Sequence, residues 1–163
     1  MGDFLDRNTP SSFRQAGHGF ACVTAPCAAA LSCLGCGRAT ARQLPFGQWV
    51  AFNAGLAGSF DAQGLFKFSS QKRVVLRVTD AFCRGDRYRV LDHGHRIGTT
   101  SNVPIDTTCS ELPFASTGPE GWHAPGYSRI RLVLRPGFHR IRIRSMRSPF
   151  GPSTGFLYIY RLG

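Results

Sequence analysis

Apolar and polar positions along this chain alternate in twos. Arg129–Leu134 (RIRLVL), His139–Met146 (HRIRIRSM) and Arg87–Leu91 (RYRVL) switch between basic and apolar side chains at nearly every step. A strand sends successive side chains to opposite faces. Leu76, Val78, Tyr88, Val90, Ile130, Leu132, Leu134, Ile141 and Ile143 are therefore predicted to face a core. Arg87, Arg89, Arg129, Arg131, Arg140, Arg142 and Arg144 are predicted to face outward. Arg73–Thr79 (RVVLRVT) is rich in the β-branched residues that strands favour. Gln48–Asn53, Gly64–Ser70 and Gly155–Arg161 read as further strands. His95–Ser101 returns after Asp92-His93-Gly94, a turn in which glycine supplies a positive φ, so 87–101 reads as a hairpin. No stretch sustains an apolar period of 3.6. About eight strands at roughly ten-residue spacing predict an all-β domain, an antiparallel β-sandwich of jelly-roll type. The Gly-, Pro-, Ser- and Thr-rich stretch 102–126 reads as a long connection with room for one short helix.

The first 41 residues follow a different pattern. A polar stretch to His18 leads into an apolar, small-residue run, GFACVTAPCAAALSCLGC (Gly19–Cys36), and then Ala39-Thr40-Ala41. That is the order of a secretory signal. The expected organisation is a signal-like or disordered segment over 1–41 and a sandwich domain over 44–163, secreted to the extracellular side. The run is too short and too poor in Leu and Ile for a membrane span, which needs ~20 strongly apolar residues. Cys22, Cys27, Cys33 and Cys36 read as small hydrophobes within it. Cys33-x-x-Cys36 lacks the second C-x-x-C of a zinc ribbon. Cys83 and Cys109 remain, and an oxidising compartment would join them in one disulfide.

Charge adds a surface to this outline. The formal net charge is +11, and of 20 basic residues only Lys67 and Lys72 are lysines. Charge alone speaks to solubility and non-specific attraction, whether to acidic polysaccharide, nucleic acid or membrane. Its placement says more. Arg129–Leu134 and His139–Arg144 flank a tight Arg135-Pro136-Gly137 turn and are expected to pair. Arg129, Arg131, Arg140, Arg142 and Arg144 would then lie side by side. Like charges opposite one another are unfavourable, so such a ladder needs solvent, acidic neighbours or an anionic ligand. The acids after residue 60 are Asp61, Asp80, Asp86, Asp92, Asp106, Glu111 and Glu120, too few to neutralise it. Trp122, in the polar connection, is the aromatic residue best placed to stack on a sugar ring. Trp49, Tyr127 and Phe150 read as core.

The segment VVLRVTDAFCRGDRYRVLDHGHRIGTTS, with SRIRLVLRPGFHRIRIRSMRSPFGPSTGFLYI, resembles a group of small exported β-sandwich proteins, both secreted fungal proteins and bacterial exported proteins of PEP-CTERM type. The shared positions are Asp80 and Phe82, Gly85-Asp86, Asp92 to Gly94, Gly98 to Ser101, Pro136-Gly137, His139 and Ser148 to Gly151. His93 stands where the group usually has Asn. The resemblance implies an exported jelly-roll-like sandwich and carries no assigned activity.

No enzymatic or metal constellation emerges. There is no G-x-S-x-G elbow. Asp80, Asp86 and Asp92 match no calcium loop, and His93 and His95 read as an exposed turn. The expected function is a non-catalytic binding module. Its partner would be an acidic polysaccharide or cell-wall component held by the arginines and Trp122, with no cofactor and no specific nucleic acid. A secreted hydrolase with an unrecognised site and a structural coat or matrix subunit are the alternatives.

Overall fold

The computed structural model describes residues 40–105, Cys109 and residues 114–163. The signal-like segment and its four cysteines lie outside the described residues. In chain order the elements are β1 (Arg42–Gln43), β2 (Trp49–Gly55), β3 (Phe66–Ser70), β4 (Val74–Asp80), β5 (Arg87–Asp92), β6 (His95–Thr99), α1 (Gly118–His123), β7 (Arg129–Leu134), β8 (Gly137–Arg147) and β9 (Ser153–Arg161).

The strands form two sheets. Sheet A has the order β1-β3-β8-β5-β6 and sheet B the order β2-β9-β4-β7. From β2 onward the pairing is a set of nested hairpins. β5 pairs with β6, β4 with β7, β3 with β8 and β2 with β9, all antiparallel. Rolling that long hairpin into two four-stranded sheets gives a jelly roll, as predicted. β1 adds a short parallel edge to β3. The innermost turn holds His93 at φ 50° and Gly94 at φ 85°.

One expectation fails here. Arg129–Leu134 and His139–Arg144 do not pair with each other. β7 lies at the edge of sheet B beside β4, and β8 lies inside sheet A between β3 and β5. The turn between them carries the chain from one sheet to the other. The reason lies in the apolar halves of the two strands. A hairpin would set Ile130, Leu132 and Leu134 beside Ile141 and Ile143 on one face. Placed in opposite sheets, the two sets cover each other across the core. His139 braces this corner. It is buried, its Nδ1 lies 2.6 Å from Asp92 Oδ2 and its Nε2 lies 3.0 Å from the Arg135 carbonyl.

Phe52, Phe66, Phe68, Val74, Leu76, Val78, Tyr88, Val90, Ile141, Ile143, Leu157 and Ile159 fill the space between the sheets. Each buried aliphatic or aromatic side chain contributes roughly 1.5–3 kcal/mol relative to exposure. Every residue assigned to the core by alternation lies there, with Ile130 and Leu132 partly buried at the β7 edge. Cys83 and Cys109 are bonded, with Cα atoms 4.9 Å apart. The bond ties the long connection to the turn after β4.

Candidate functional site

The outward side chains make two separate basic faces. On sheet A, β8 presents Arg140, Arg142 and Arg144 at alternate positions. Lys67 of β3 stands opposite Arg140, and Arg89 of β5 stands opposite Arg144. Arg96 of β6 continues the row of Arg142 and Leu91. Residues 58–61 extend the sheet along β8 beyond the end of β3, through Gly58 N to Ser145 O and Asp61 N to Ile143 O. This places Phe60 under two guanidinium groups, with Arg142 4.1 Å and Arg144 5.5 Å from its ring centre. Arg144 Nε donates to the Gly58 carbonyl. An open groove of about 410 Å³ runs along this face, lined by Leu65, His93, Gly94, Arg140 and Arg142.

On sheet B, one row crosses all four strands: Trp49 in β2, Tyr158 in β9, Arg77 in β4 and Arg131 in β7. Tyr160 lies one step along β9. The sequence FLYIY dictates this, because Leu157 and Ile159 point inward and leave Phe156, Tyr158 and Tyr160 outside. Helix α1 adds Trp122. Thr117 caps the helix, its hydroxyl accepting from Glu120 N while the Glu120 carboxylate accepts from Thr117 N. Its two glycines let it lie flat on the sheet. A Cβ at Gly118 would meet the Trp49 ring at 2.3 Å, and one at Gly121 the Asp80 carbonyl at 2.4 Å. Trp122 is thereby held 6.2 Å from the Trp49 ring centre, with the Arg77 guanidinium 4.8 Å from its own.

The acids do not offset these arginines. Asp61 accepts from Asn53 N and Gln63 N. Asp92 serves His139 and Arg140 N, and Glu120 serves its helix cap. Asp80, at the end of β4, and Asp86, just before β5, are both buried; Asp80 accepts from Ala81 N and Gly85 N and Asp86 from the Tyr88 hydroxyl. Burial and the neighbouring Asp86 push Asp80 up to about 9. Burial pushes Asp86 up to about 6. Asp80 is therefore protonated at neutral pH, while Asp86 stays largely ionised there. Among the described residues, the only carboxylate–cation contacts within 4.0 Å join Asp92 to His93 and His139, and no Arg or Lys has one.

The predicted site residues are thus divided. Arg140, Arg142 and Arg144 share sheet A, while Arg129, Arg131 and Trp122 share sheet B, with Arg129 donating to the Trp122 carbonyl. Asp80 and Asp86 meet each other but not His93, which follows β5 where Asp86 precedes it. Among the described residues, no group of three His, Cys, Asp or Glu converges as metal ligands. Tyr127 is core, its hydroxyl donating to Phe82 O and accepting from Ala115 N, while Phe150 is exposed and Trp49 lies on the outer face of sheet B. Sequence reasoning passed over Arg77, Tyr158, Tyr160 and Phe60. The lone arginine inside VVLRVT and the alternation of FLYIY were the available signals for three of them. Phe60 joins its face through loop geometry that no periodicity encodes.

Neither a family model nor a curated protein matches this sequence. Among solved structures, the chain is similar to the pre-peptidase C-terminal domain of a collagenase from Bacillus anthracis. The identity is 10%, the TM-score 0.40, and the match covers 74% of this chain and 94% of that one. It is also similar to the C-terminal CBM6 of LamC, a marine laminarinase from Zobellia galactanivorans, with 12% identity, a TM-score of 0.38 and coverage of 70% and 100%. Likenesses this distant carry nothing about ligand or activity. Among the described residues, no helix is long and apolar enough to cross a membrane.

Proposed function

We propose that this chain is an exported, non-catalytic module that holds an acidic polysaccharide on the outer face of sheet A. Export rests on the signal-like segment and on the resemblance to exported sandwich proteins. Binding rests on one observation: Lys67, Arg89, Arg140, Arg142 and Arg144 share a face on which, among the described residues, no carboxylate lies within 4.0 Å of any of their side-chain charges. Alternate residues on a strand are roughly 6.7 Å apart, so the β8 arginines span roughly 13 Å. That spacing suits successive negative charges along a polymer. Lys67 and Arg140, and Arg89 and Arg144, stand directly opposite as like charges, an arrangement that costs stability in the free protein. A bound polyanion relieves that repulsion.

The test is retention on immobilised polygalacturonate over a sodium chloride gradient. Wild type is expected to bind at low salt and to elute steeply as salt rises, because exposed charge pairs are screened. Arg142→Glu with Arg144→Glu is expected to weaken binding at least tenfold. Retention equal to wild type would refute the assignment.

A further inference from the structure

We infer that the outer face of sheet B is a second binding site, built for a short carboxylated sugar chain of two or three rings, on the side of the sandwich opposite the polymer face. It shares a ligand class with the proposed function but none of its residues, and it goes beyond that reading.

Four observations converge on it. First, the row from Trp49 through Tyr158 and Arg77 to Arg131 runs from aromatic to cationic across four strands. At ~4.8 Å per strand it is roughly 14 Å long, the scale of two or three sugar rings. Second, Arg77 is held by two rings, its guanidinium carbon 4.8 Å from the Trp122 ring centre and 5.1 Å from that of Tyr160. A guanidinium fixed in this way offers a planar fork of donors that can meet a carboxylate in bidentate fashion. Third, Arg77 and Arg131 stand directly opposite as like charges, Arg77 donates to the Tyr160 hydroxyl at 3.5 Å, and Arg131 with Arg77 holds that phenol below its usual range. Among the described residues, one phenol oxygen thus stands before two five-donor groups. Fourth, the Arg77 Nε is buried without a hydrogen-bond partner and, among the described residues, its Nη2 reaches only the Tyr160 hydroxyl, so the donors at the tip of the guanidinium are largely unfilled by the protein.

The occupant follows from the pairing of these features. A carboxylate satisfies Arg77 and Arg131. A rigid ring bearing that carboxylate has an apolar face to lay on the indoles, and both tryptophans keep accessible surface. A uronic acid residue combines the two. An acidic peptide supplies the charge without the rigid ring, and a neutral sugar the ring without the charge.

The chain has only two tryptophans, and both lie on this face, so intrinsic fluorescence reports on this site. The full chain is titrated with trigalacturonate, with its neutral trimethyl ester and with triglutamate. A saturable change in emission is expected with trigalacturonate alone. Arg131→Gln, at an exposed position, is expected to weaken that response at least tenfold without lowering the melting temperature. Arg142→Glu with Arg144→Glu is expected to leave it intact. An absent response, an equal response in Arg131→Gln, or an equal response to triglutamate or the ester would overturn the inference. Column retention of Arg131→Gln, with and without Arg142→Glu and Arg144→Glu, tests the sheet A site separately. Loss of retention sensitivity with fluorescence preserved would count against that site alone, and the reverse outcome against this one alone.

Discussion

Asp86 is expected to weaken the fold at neutral pH, so that removing its charge stabilises the protein. Asp86 is 6% exposed, and burial raises it from 3.8 to about 6. The folded state therefore prefers the protonated acid. Its favourable contribution is complete below the unfolded value of about 3.9 and disappears as pH rises through about 6. At pH 8 the fold holds an ionised, buried carboxylate. Two pKa units at 1.36 kcal/mol each put the cost at about 3 kcal/mol. A cavity of about 50 Å³ beside Asp86, lined also by Pro152 and Thr154, has room for water that would reduce this to about 2 kcal/mol. Asp80, raised to about 9 with Asp86 among its causes, shifts in the same direction, so the two acids make stability fall between about pH 4 and 9. Asp86→Asn keeps an acceptor for the Tyr88 hydroxyl and discards the charge. It is expected to be more stable than wild type by about 2 kcal/mol at pH 8, roughly 8 °C in melting temperature for a domain of this size, and equal to it at pH 4. Circular dichroism melts at pH 4, 6 and 8 at fixed ionic strength, with the disulfide intact, measure the difference. A stabilisation independent of pH, or a variant less stable at pH 8 than at pH 4 relative to wild type, would refute the reasoning.

Two further outcomes follow from the packing. Gly121→Ala places a methyl group 2.4 Å from the Asp80 carbonyl oxygen, so α1 must lift and Trp122 must leave Arg77. A loss of about 2 kcal/mol with red-shifted tryptophan emission is expected, and unchanged emission would show that the helix is not held by this contact. Replacing Cys83 and Cys109 together by serine opens a link across 26 residues. A loss of roughly 3 kcal/mol is expected as a lower urea midpoint, and an unmoved midpoint would contradict it.

The period of two was enough to orient the residues it named for the core. Tyr88, Val90, Ile141 and Ile143 alternate so strictly with arginine that only one face of each strand can turn inward. It was not enough to decide which strands pair. A turn such as Arg135-Pro136-Gly137 serves a hairpin and a sheet-to-sheet crossing equally well, and what decides between them is where the apolar halves find cover. That depends on β3, β4 and β5, far away in sequence. The arginines were therefore legible as outward residues and illegible as a group. Arg129 and Arg131 went to one face, Arg140, Arg142 and Arg144 to the other. Arg77 was hidden for a related reason: nothing in VVLRVT announces that Trp122, 45 residues later, will come to lie over its central charge. The helix bearing Trp122 was readable only as room for a turn or two in a polar stretch, because its position depends on the close approach of Gly118 and Gly121 to the sheet.

The place of β9 has a consequence for how the molecule comes into being. The last strand of the roll is threaded between β2 and β4, so sheet B has a vacant lane until residues 153–161 have been synthesised. Sheet A is complete only once β8 has been made, at residue 147, and sheet B only once β9 follows, and pairings between distant residues form slowly. A ribosome releasing this polypeptide from its N-terminus would deliver a pliable thread rather than a growing folded body. That is the physical state in which a chain can be drawn lengthwise through a narrow pore before it sets.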